Sequence, residues 1–580
     1  MKKVLTHLLT FVLGIFLGLG VLIGIMAIAI SSLGEFEDNY ELKDHSVLNI
    51  TLGSSIPEQG SDDPLQEITN KITNQSNTIG LNQLRLALNN AETNPKIKGV
   101  VIDAGNYAGG IAHASEIRNA INKFKKSGKW VFAYSNNYSE QGIYIASACD
   151  SVFANPQGII EFNGISSGIL MYKGLLDELG VQVQVFKVGT HKGAVEPFVQ
   201  KELSEENRSQ IIKYLTDIYK VQVKDIANDK NIDFESLWDI AMSQKVVTVN
   251  DAQEHGLIHK TIYWDHLEKN IEKKVSNPKY VKVSEFLKVE ETYKYKEDKI
   301  AVLYMDGDIV PGNSKDKGQI SGDYYANLIR NIRKDKKIKA LVIRVNSPGG
   351  SSQASDIIAR EIELTKKKMP VIASYGNVAA SGGYYISCLA DSIFALPNSI
   401  TGSIGVFALI PNTKEFFNKY THLNYESVGV GDHSELWRPD QPLNSFQAQV
   451  MQNTVNQVYI DFKKTVARGR GLTMTEVEQL AQGKVYSGII AKQIGLIDDF
   501  GNIERAISAA AAKSKVENYR IVEYPKSQSP LQEIFNAGIE TYMDNTVSKS
   551  AVIKAVNKSQ KDLINIQGIQ MRLPWSIEIH

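Results

Sequence analysis

Two stretches of the chain share one alternation of apolar strands and amphipathic helices. In the first, the runs VVID and WVFAY flank the helical period ASEIRNAINKFKK; in the second, LVIRV and VIASY flank ASDIIAREIELTKK. Short β-branched runs that alternate with helical periods are typical of βαβ units, whose parallel strands are covered by helices. The pattern therefore predicts an α/β fold.

The two stretches are copies of each other. An offset of 241 residues aligns Asp150 with Asp391, and further on Gly256 aligns with Gly495 at an offset of 239, so only small insertions separate the copies. Such self-similarity predicts a tandem duplication. A polar junction, VEETYKYKEDK, precedes the second copy. We predict an N-terminal repeat over 35–298, a C-terminal repeat over 299–525 and a tail of weak periodicity over 526–580.

The longest apolar run lies near the N-terminus. It extends without a charge from Leu8 to Ile30, which is long enough to cross a bilayer and longer than the apolar part of a cleaved signal peptide. Lys2 and Lys3 precede it and an acidic stretch follows. The positive-inside rule then places the N-terminus in the cytoplasm and the body across the membrane. Residues 1–34 are therefore predicted to be a cytoplasmic N-terminus and a transmembrane anchor.

Composition narrows the choice of function. The 64 basic and 64 acidic residues cancel, which removes the basic field that nucleic-acid binding requires. Cys149 and Cys388 both lie in apolar stretches and are predicted to be core residues. The sequence contains neither H-E-x-x-H nor another metal-ligand pattern, and no cofactor is implied.

Two glycine-rich turns carry the candidate chemistry. They are Asn346–Ser355 and Ala379–Ser387, and each follows an apolar strand and opens a helix. Backbone N–H groups point outward at such turns, and the glycines Gly349 and Gly350 let a substrate carbonyl come close. Ser381 lies at the start of the second helix, where a developing negative charge is stabilised.

Local sequence alone leaves the nucleophile and the base open. Both turns are equally well explained as helix caps, and Ser347, Ser351 and Ser352 are alternative nucleophiles. The surroundings of Ser381, A-A-S-G-G, are not a G-x-S-x-G elbow.

Two residues are candidate bases. They are His433, in GVGDHSELWRP, and Lys192, in KVGTHKGAVEPF, which occupies the equivalent place in the first copy. The offset places Glu140 opposite Ser381, so the first copy lacks the serine and supplies a lysine instead.

The ordered motifs GTHKGAVEPF, VNSPGGSS, GNVAASGGYYIS and SITGSIGVF, together with the apolar span, resemble the signal peptide peptidase A family in its long duplicated form, serine peptidase family S49. The resemblance covers essentially the whole chain. It implies a crotonase-like, Clp-protease-like fold for each repeat. It also implies a Ser/Lys dyad, in which Ser381 would be the nucleophile and Lys192 the general base. It also places oxyanion donors on the backbone amides of Gly350 and Gly382, and a hydroxyl partner of the lysine on Ser403.

The same resemblance implies a cellular location, a substrate class and an oligomeric state. It predicts a membrane-anchored serine endopeptidase of the bacterial cytoplasmic membrane, with its body on the extracytoplasmic side. Its substrates would be cleaved signal peptides and other hydrophobic peptides, and it would assemble as a homotetramer held to lipid through residues 8–30. A crotonase-like acyl-CoA enzyme and a catalytically inactive membrane scaffold are the alternatives. A body on the extracytoplasmic side fits an acyl-CoA enzyme poorly, because CoA is cytosolic. The presence of both Lys192 and Ser381 argues against an inactive scaffold.

Overall fold

The computed structural model describes residues 41–60, 79–289, 296–526 and 568–573, with residue 14, and without residues 432, 436, 437 and 439. Apart from residue 14, the predicted apolar span of residues 8–30 lies outside the described residues. Within the ranges just given, no helix is both long enough and apolar enough to cross a membrane.

The strands alternate with helices along both halves. Those of the first half are β1 (Ser46–Thr51), β2 (Ile97–Asp103), β3 (Trp130–Ser135), β4 (Ser151–Ala154), β5 (Gln182–Val188), β6 (Lys260–Thr261) and β7 (Lys279–Lys282). Those of the second half are β8 (Lys299–Asp306), β9 (Asp308–Val310), β10 (Gln319–Ser321), β11 (Ile338–Ser347), β12 (Gly349–Ser351), β13 (Val371–Ala380), β14 (Ser392–Ala395), β15 (Ile400–Gly402), β16 (Val406–Asn412), β17 (Val485–Ser487), β18 (Asp499–Phe500), β19 (Arg520–Tyr524) and β20 (Ile569–Arg572).

The helices follow the same division. Those of the first half are α1 (Leu81–Thr93), α2 (Ile111–Lys125), α3 (Glu140–Ser147), α4 (Lys173–Glu178), α5 (Glu196–Val199), α6 (Glu205–Lys230), α7 (Phe234–Met242), α8 (Val249–Glu254), α9 (Trp264–Lys274) and α10 (Val283–Val289), with a 3₁₀ turn at Gly193–Val195. Those of the second half are α11 (Gly322–Lys334), α12 (Ser352–Lys366), α13 (Gly382–Ser387), α14 (Lys414–Phe416), α15 (Ser445–Arg470), α16 (Met474–Leu480), α17 (Gly488–Gln493) and α18 (Ile503–Ser514), with a π turn at Phe417–Thr421.

Each half contains a sheet of parallel strands, except that β17, at the edge of the second sheet, runs antiparallel to β15. The first-half order is β6-β4-β3-β2-β1-β7, and the second-half order is β17-β15-β13-β11-β8-β19, with β14 and β18 paired beside β13. Strands such as β8 and β11 are buried over nearly their whole length, as expected when helices cover both faces of a parallel sheet. The predicted α/β fold is confirmed.

A third, mixed sheet joins the two halves, in the order β10-β9-β12-β20-β16-β5. Strand β5 comes from the first half, yet it runs antiparallel to β16 over seven residue pairs, from Val188 with Val406 to Gln182 with Asn412. This pairing carries the segment after β5 into the second half.

A buried ionic cluster also crosses between the halves. The Arg344 guanidinium on β11 lies 2.9 Å from the Glu58 carboxylate and 2.7 Å from that of Glu116 on α2. His113 Nε2 lies 2.8 Å from Glu58 Oε1. Burial alone would raise the pKa of Glu58, but the neighbouring Arg344 and His113 lower it to about 2. The carboxylate is therefore charged and holds Arg344 against the first half.

The two cysteines are core residues. Cys149 and Cys388 are both free and buried, which confirms the sequence prediction. Burial raises the pKa of each thiol to about 12, so both are unreactive near neutral pH.

Candidate active site

Ser381 lies at the junction of strand β13 and helix α13. It caps the helix with φ +53° and ψ −113°, a backbone conformation that non-glycine residues rarely adopt, and it is fully buried. Its N–H donates to the Gly402 carbonyl at 2.8 Å. Such strain costs about 1–3 kcal/mol and persists only where the surroundings fix it. Here the buried strand and helix on either side hold the serine in place.

Lys192 reaches the same place from the first half. It follows β5 after a turn at Gly189, whose φ is +114° and where a Cβ atom would come within 2.7 Å of the Gln482 backbone. Only glycine fits this close approach. The turn directs the lysine inward, and its side chain is fully buried.

The side-chain nitrogen of Lys192 lies close to three serine oxygens. Nζ lies 2.8 Å from Ser381 Oγ, 3.0 Å from Ser403 Oγ and 3.1 Å from the Ser403 carbonyl. Burial lowers the pKa of Lys192 well below its ordinary value of 10.5. The lysine is therefore biased toward its neutral amine, and it meets Ser381 within one chain.

The glycine-rich turn after β11 lies against Ser381. Gly349 has φ +104°, and a Cβ atom there would come within 2.7 Å of the Gly382 nitrogen. Gly350 has φ +153°, and a Cβ atom there would meet the Ile309 carbonyl at 2.0 Å. The two turns that were singled out from the sequence thus meet at Gly349 and Gly382, the residues directly before Gly350 and directly after Ser381.

The alternative candidates have other surroundings. Ser347 Oγ accepts from the Gly349 N–H at 3.1 Å, and Ser351 Oγ caps helix α12. Ser352 is the first residue of that helix and lines the cavity described below. The exposed His433 ring stacks on Phe446 with the centroids 4.0 Å apart. Lys192 contacts Ser381 rather than any of these groups.

The first repeat fills the corresponding place with Glu140. This carboxylate is buried, accepts from the Asn163 N–H at 2.9 Å and accepts from the Tyr219 hydroxyl at 3.0 Å. Burial raises its pKa to about 7. The first repeat therefore contains a hydrogen-bonded acid where the second contains Ser381.

Sequence reasoning missed a cavity and a strand beside the site. The cavity measures about 540 Å³ and lies between α12, α13, α15 and strand β20; its lining includes Ser352, Asp356, Tyr385, Val458, Thr465 and Met571. Strand β20 comes from the predicted tail and enters the mixed sheet next to Gly350. Its four residues, IQMR, are too short for a recognisable period.

Comparison with known proteins finds peptidases. The chain is 33% identical to "Protease 4" of Haemophilus influenzae over 504 residues, which are 83% of this chain and 79% of that protein. It is 30% identical to "Serine protease SPPA, chloroplastic" of Arabidopsis thaliana over 534 residues, 87% of this chain and 76% of that one. A mutant ClpP1 from Listeria monocytogenes matches at 15% identity and a TM-score of 0.24, covering 35% of this chain and 91% of that one.

The chain is similar to serine peptidases over most of its length, and its duplicated α/β fold contains the buried Ser381. The chain is therefore a serine peptidase. A sequence model of peptidase family S49 matches twice, at residues 123–277 and 363–517. The chain belongs to that family, and each repeat carries one copy of its domain.

Proposed function

We propose that the chain is a serine endopeptidase in which Ser381 is the nucleophile and Lys192 is the general base. One observation carries the proposal: the two buried side chains lie 2.8 Å apart at the junction of the repeats. A serine hydroxyl needs a neighbouring base to attack a peptide, and a lysine serves only when desolvation makes it neutral.

The contacts of Lys192 suit a neutral amine. Such an amine has two N–H donors and one lone pair. Its two donors match the hydroxyl and the carbonyl of Ser403, at 3.0 and 3.1 Å. The lone pair then faces the Ser381 hydroxyl, which donates its proton to Nζ. Ser403 acts by orienting the lysine.

The steps follow from this arrangement. Ser381 Oγ attacks the peptide carbonyl carbon while its proton passes to Lys192 Nζ, and the oxyanion accepts from the N–H groups of Gly350 and Gly382. Lys192 then gives the proton to the leaving amine, which leaves an acyl ester on Ser381. A water molecule, deprotonated by the same lysine, hydrolyses the ester and restores the site.

The proposed substrates are hydrophobic peptides in extended form, including cleaved signal peptides. Support comes from the burial of Lys192 and Ser381 away from water and from the mixed sheet beside the site. Extended peptides commonly bind by adding a strand to a sheet. Peptide libraries that vary one side chain at a time test this preference. Equal cleavage of hydrophobic and polar peptides would contradict it.

The setting is proposed on the sequence and its resemblance. Residues 8–30 anchor the chain in a bacterial cytoplasmic membrane, the body lies on the extracytoplasmic side as a homotetramer, and each repeat has a crotonase-like, Clp-protease-like fold. Carbonate extraction of membranes tests the anchor, and light scattering of the purified chain tests the tetramer. Release by carbonate, or a monomeric mass, would contradict the corresponding statement.

The dyad is tested by labelling with a fluorophosphonate and by hydrolysis of a fluorogenic peptide. We expect Ser381→Ala and Lys192→Ala each to abolish labelling and to lower hydrolysis at least about a thousandfold. Ser508→Ala and Lys220→Ala, which remove an exposed hydroxyl and an exposed ammonium, are the matched controls and should behave as wild type. Hydrolysis by either dyad variant at the wild-type rate would refute the assignment.

A further inference from the structure

A short loop of the second repeat lies between the two turns that supply Lys192 and Ser403. It comprises residues 482–484, here called the bridging loop, between helix α16 and strand β17. A Cβ atom on Gly483 would come within 2.6 Å of the Lys192 backbone nitrogen. A Cβ atom on Gly405 would come within 3.1 Å of the Gly483 nitrogen. The bridging loop is therefore packed directly against the backbone on both sides.

On the side of the lysine, the bridging loop is bonded through Gln482. Its carbonyl accepts from the His191 N–H at 2.9 Å, and its side-chain Oε1 accepts from the Thr190 N–H at 3.2 Å. These two donors belong to the lysine turn, residues 189–192, and directly precede Lys192. Because one residue binds two consecutive N–H groups, it fixes the orientation of the lysine turn as well as its distance.

On the side of the serine, the rest of the bridging loop binds the backbone at Ser403. The Ser403 N–H donates to the Lys484 carbonyl at 2.6 Å, and the Gly483 N–H donates to the Ile404 carbonyl at 2.9 Å. Ser403 has φ +52°, a left-handed conformation that persists only where the surroundings hold it. The bridging loop therefore sets the separation between the lysine and the serine that orients it.

Gln482 is itself held in a conformation that few residues adopt. Its φ is +60°, in the left-handed region that favours glycine and asparagine. Its side-chain Nε2 donates to Glu478 Oε1 on helix α16, which leaves Oε1 to face Thr190. The Glu478 carboxylate in turn accepts from the Tyr459 hydroxyl at 3.1 Å. The amide of Gln482 thus joins two helices of the second repeat to the lysine turn of the first.

We infer that Gln482 is a positioning residue of this peptidase: it holds the lysine turn in the place from which the Lys192 amine reaches both Ser381 and Ser403. The inference rests on the proposed function. Gln482 acts through the backbone of the lysine turn and takes no part in the proton transfers. The first repeat supplies the base, and the second repeat fixes its position.

A positioning role affects one kinetic parameter more than the other. Loss of the Oε1 acceptor lets the lysine turn move relative to Ser403, so the amine lies within reach of the Ser381 hydroxyl in a smaller fraction of the molecules. The chemical step then slows while peptide binding is unchanged, so kcat falls and KM stays. A residue that only stabilises the fold would lower the amount of folded protein and leave its kcat as in wild type.

Gln482→Met in the full chain tests the inference, because methionine keeps the length of the side chain and removes both bonds of the amide. We expect kcat for a fluorogenic peptide and the rate of fluorophosphonate labelling to fall about tenfold, with KM within about twofold of wild type. Gln479→Met, at an exposed glutamine of helix α16, is the matched control and should behave as wild type. Wild-type kcat in folded Gln482→Met, or a loss in KM alone, would overturn the inference.

An exchange of two side chains provides the rescue. Gln482→Glu combined with Glu478→Gln keeps an acceptor opposite the Thr190 N–H and keeps an amide donor paired with a carboxylate. We expect this double variant to have at least about half of the wild-type kcat, although both residues are changed. A loss as large as that of Gln482→Met would mean that the acceptor does not position the lysine turn.

The outcomes separate a failure of the inference from a failure of the proposed function. If wild type labels no faster than Ser381→Ala, the proposed function is wrong. If wild type is active and Gln482→Met matches it, only the positioning inference is wrong. If circular dichroism shows that Gln482→Met does not fold, Gln482→Asn takes its place. Asparagine tolerates the left-handed backbone but is one methylene shorter, so the same fall of about tenfold in kcat is expected.

Discussion

The two repeats share a scaffold but differ at one buried position. In the second repeat a strained serine, Ser381, precedes a short helix, and in the first repeat Glu140 begins the matching helix. Glu140 is satisfied by the Asn163 N–H and the Tyr219 hydroxyl, whereas Ser381 contacts Lys192. The first repeat has no serine at this position, and it supplies Lys192, which contacts Ser381. The proposed chemistry therefore depends on the junction between the repeats.

The largest effect is expected from breaking that junction. Arg344→Ala removes the guanidinium from two buried carboxylates and leaves Glu58 with His113 alone. Breaking a buried ion pair in this way typically costs about 3–5 kcal/mol. We expect a loss of this size in the free energy of unfolding, measured by urea denaturation. Because the junction also positions Lys192, activity should fall with it.

The matched control is Arg360→Ala, which removes an exposed arginine paired with Glu363. A surface pair contributes little, so its effect should stay below about 1 kcal/mol. Equal destabilisation by the two variants would mean that the buried cluster does not hold the repeats together.

Ser403→Ala tests whether the second repeat orients Lys192. The variant removes the hydroxyl 3.0 Å from Lys192 Nζ and leaves the carbonyl contact. We expect kcat to fall about tenfold to a hundredfold with KM little changed, because the loss affects the orientation of the base. Ser392→Ala, which removes a hydroxyl that donates to the carbonyl of Asp391, is the control. A rise in KM at constant kcat would count against a role through Lys192.

Glu140→Gln tests the position of the first repeat that corresponds to Ser381 and that has no role in the proposed chemistry. Burial raises the pKa of Glu140 to about 7, above its ordinary value of 4.5. Between these values the folded protein keeps a proton that the unfolded chain releases, so stability falls as pH rises from about 4.5 to 7. Glutamine removes this dependence. The variant should be about 1–2 kcal/mol more stable than wild type at pH 8 and equal to it at pH 4, with unchanged activity.

The control here is Glu254→Gln, at an exposed position of the same repeat. It should leave the pH dependence of stability as it is in wild type. If Glu140→Gln abolished hydrolysis, Glu140 would take part in the reaction and the proposed difference between the two repeats would be wrong.

Much of this organisation is predictable from the sequence because it is local. The strand and helix periods around VVID and LVIRV predict the parallel sheets, and the copied motifs predict the duplication. The glycine-rich turns at Gly350 and Ser381 are also visible, since positive φ and close approach require small residues.

Contacts between residues far apart in the chain are not predictable in the same way. Lys192 reaches Ser381 only because β5 pairs with β16 more than 200 residues away, and the local sequence left His433 and three other serines open. The resemblance to a known family chose between them. Strand β20 was missed because its burial comes from two partner strands rather than from any pattern in its four residues.

The pH profile of Ser381 labelling tests the central claim most directly. Labelling requires the neutral form of Lys192, and burial lowers its pKa well below 10.5. We predict that the labelling rate rises with pH, reaches a plateau well below pH 10.5 and loses this dependence in Lys192→Ala. A rate that still rises through pH 10.5, or a profile that Lys192→Ala leaves unchanged, would contradict a buried lysine base shared between the repeats.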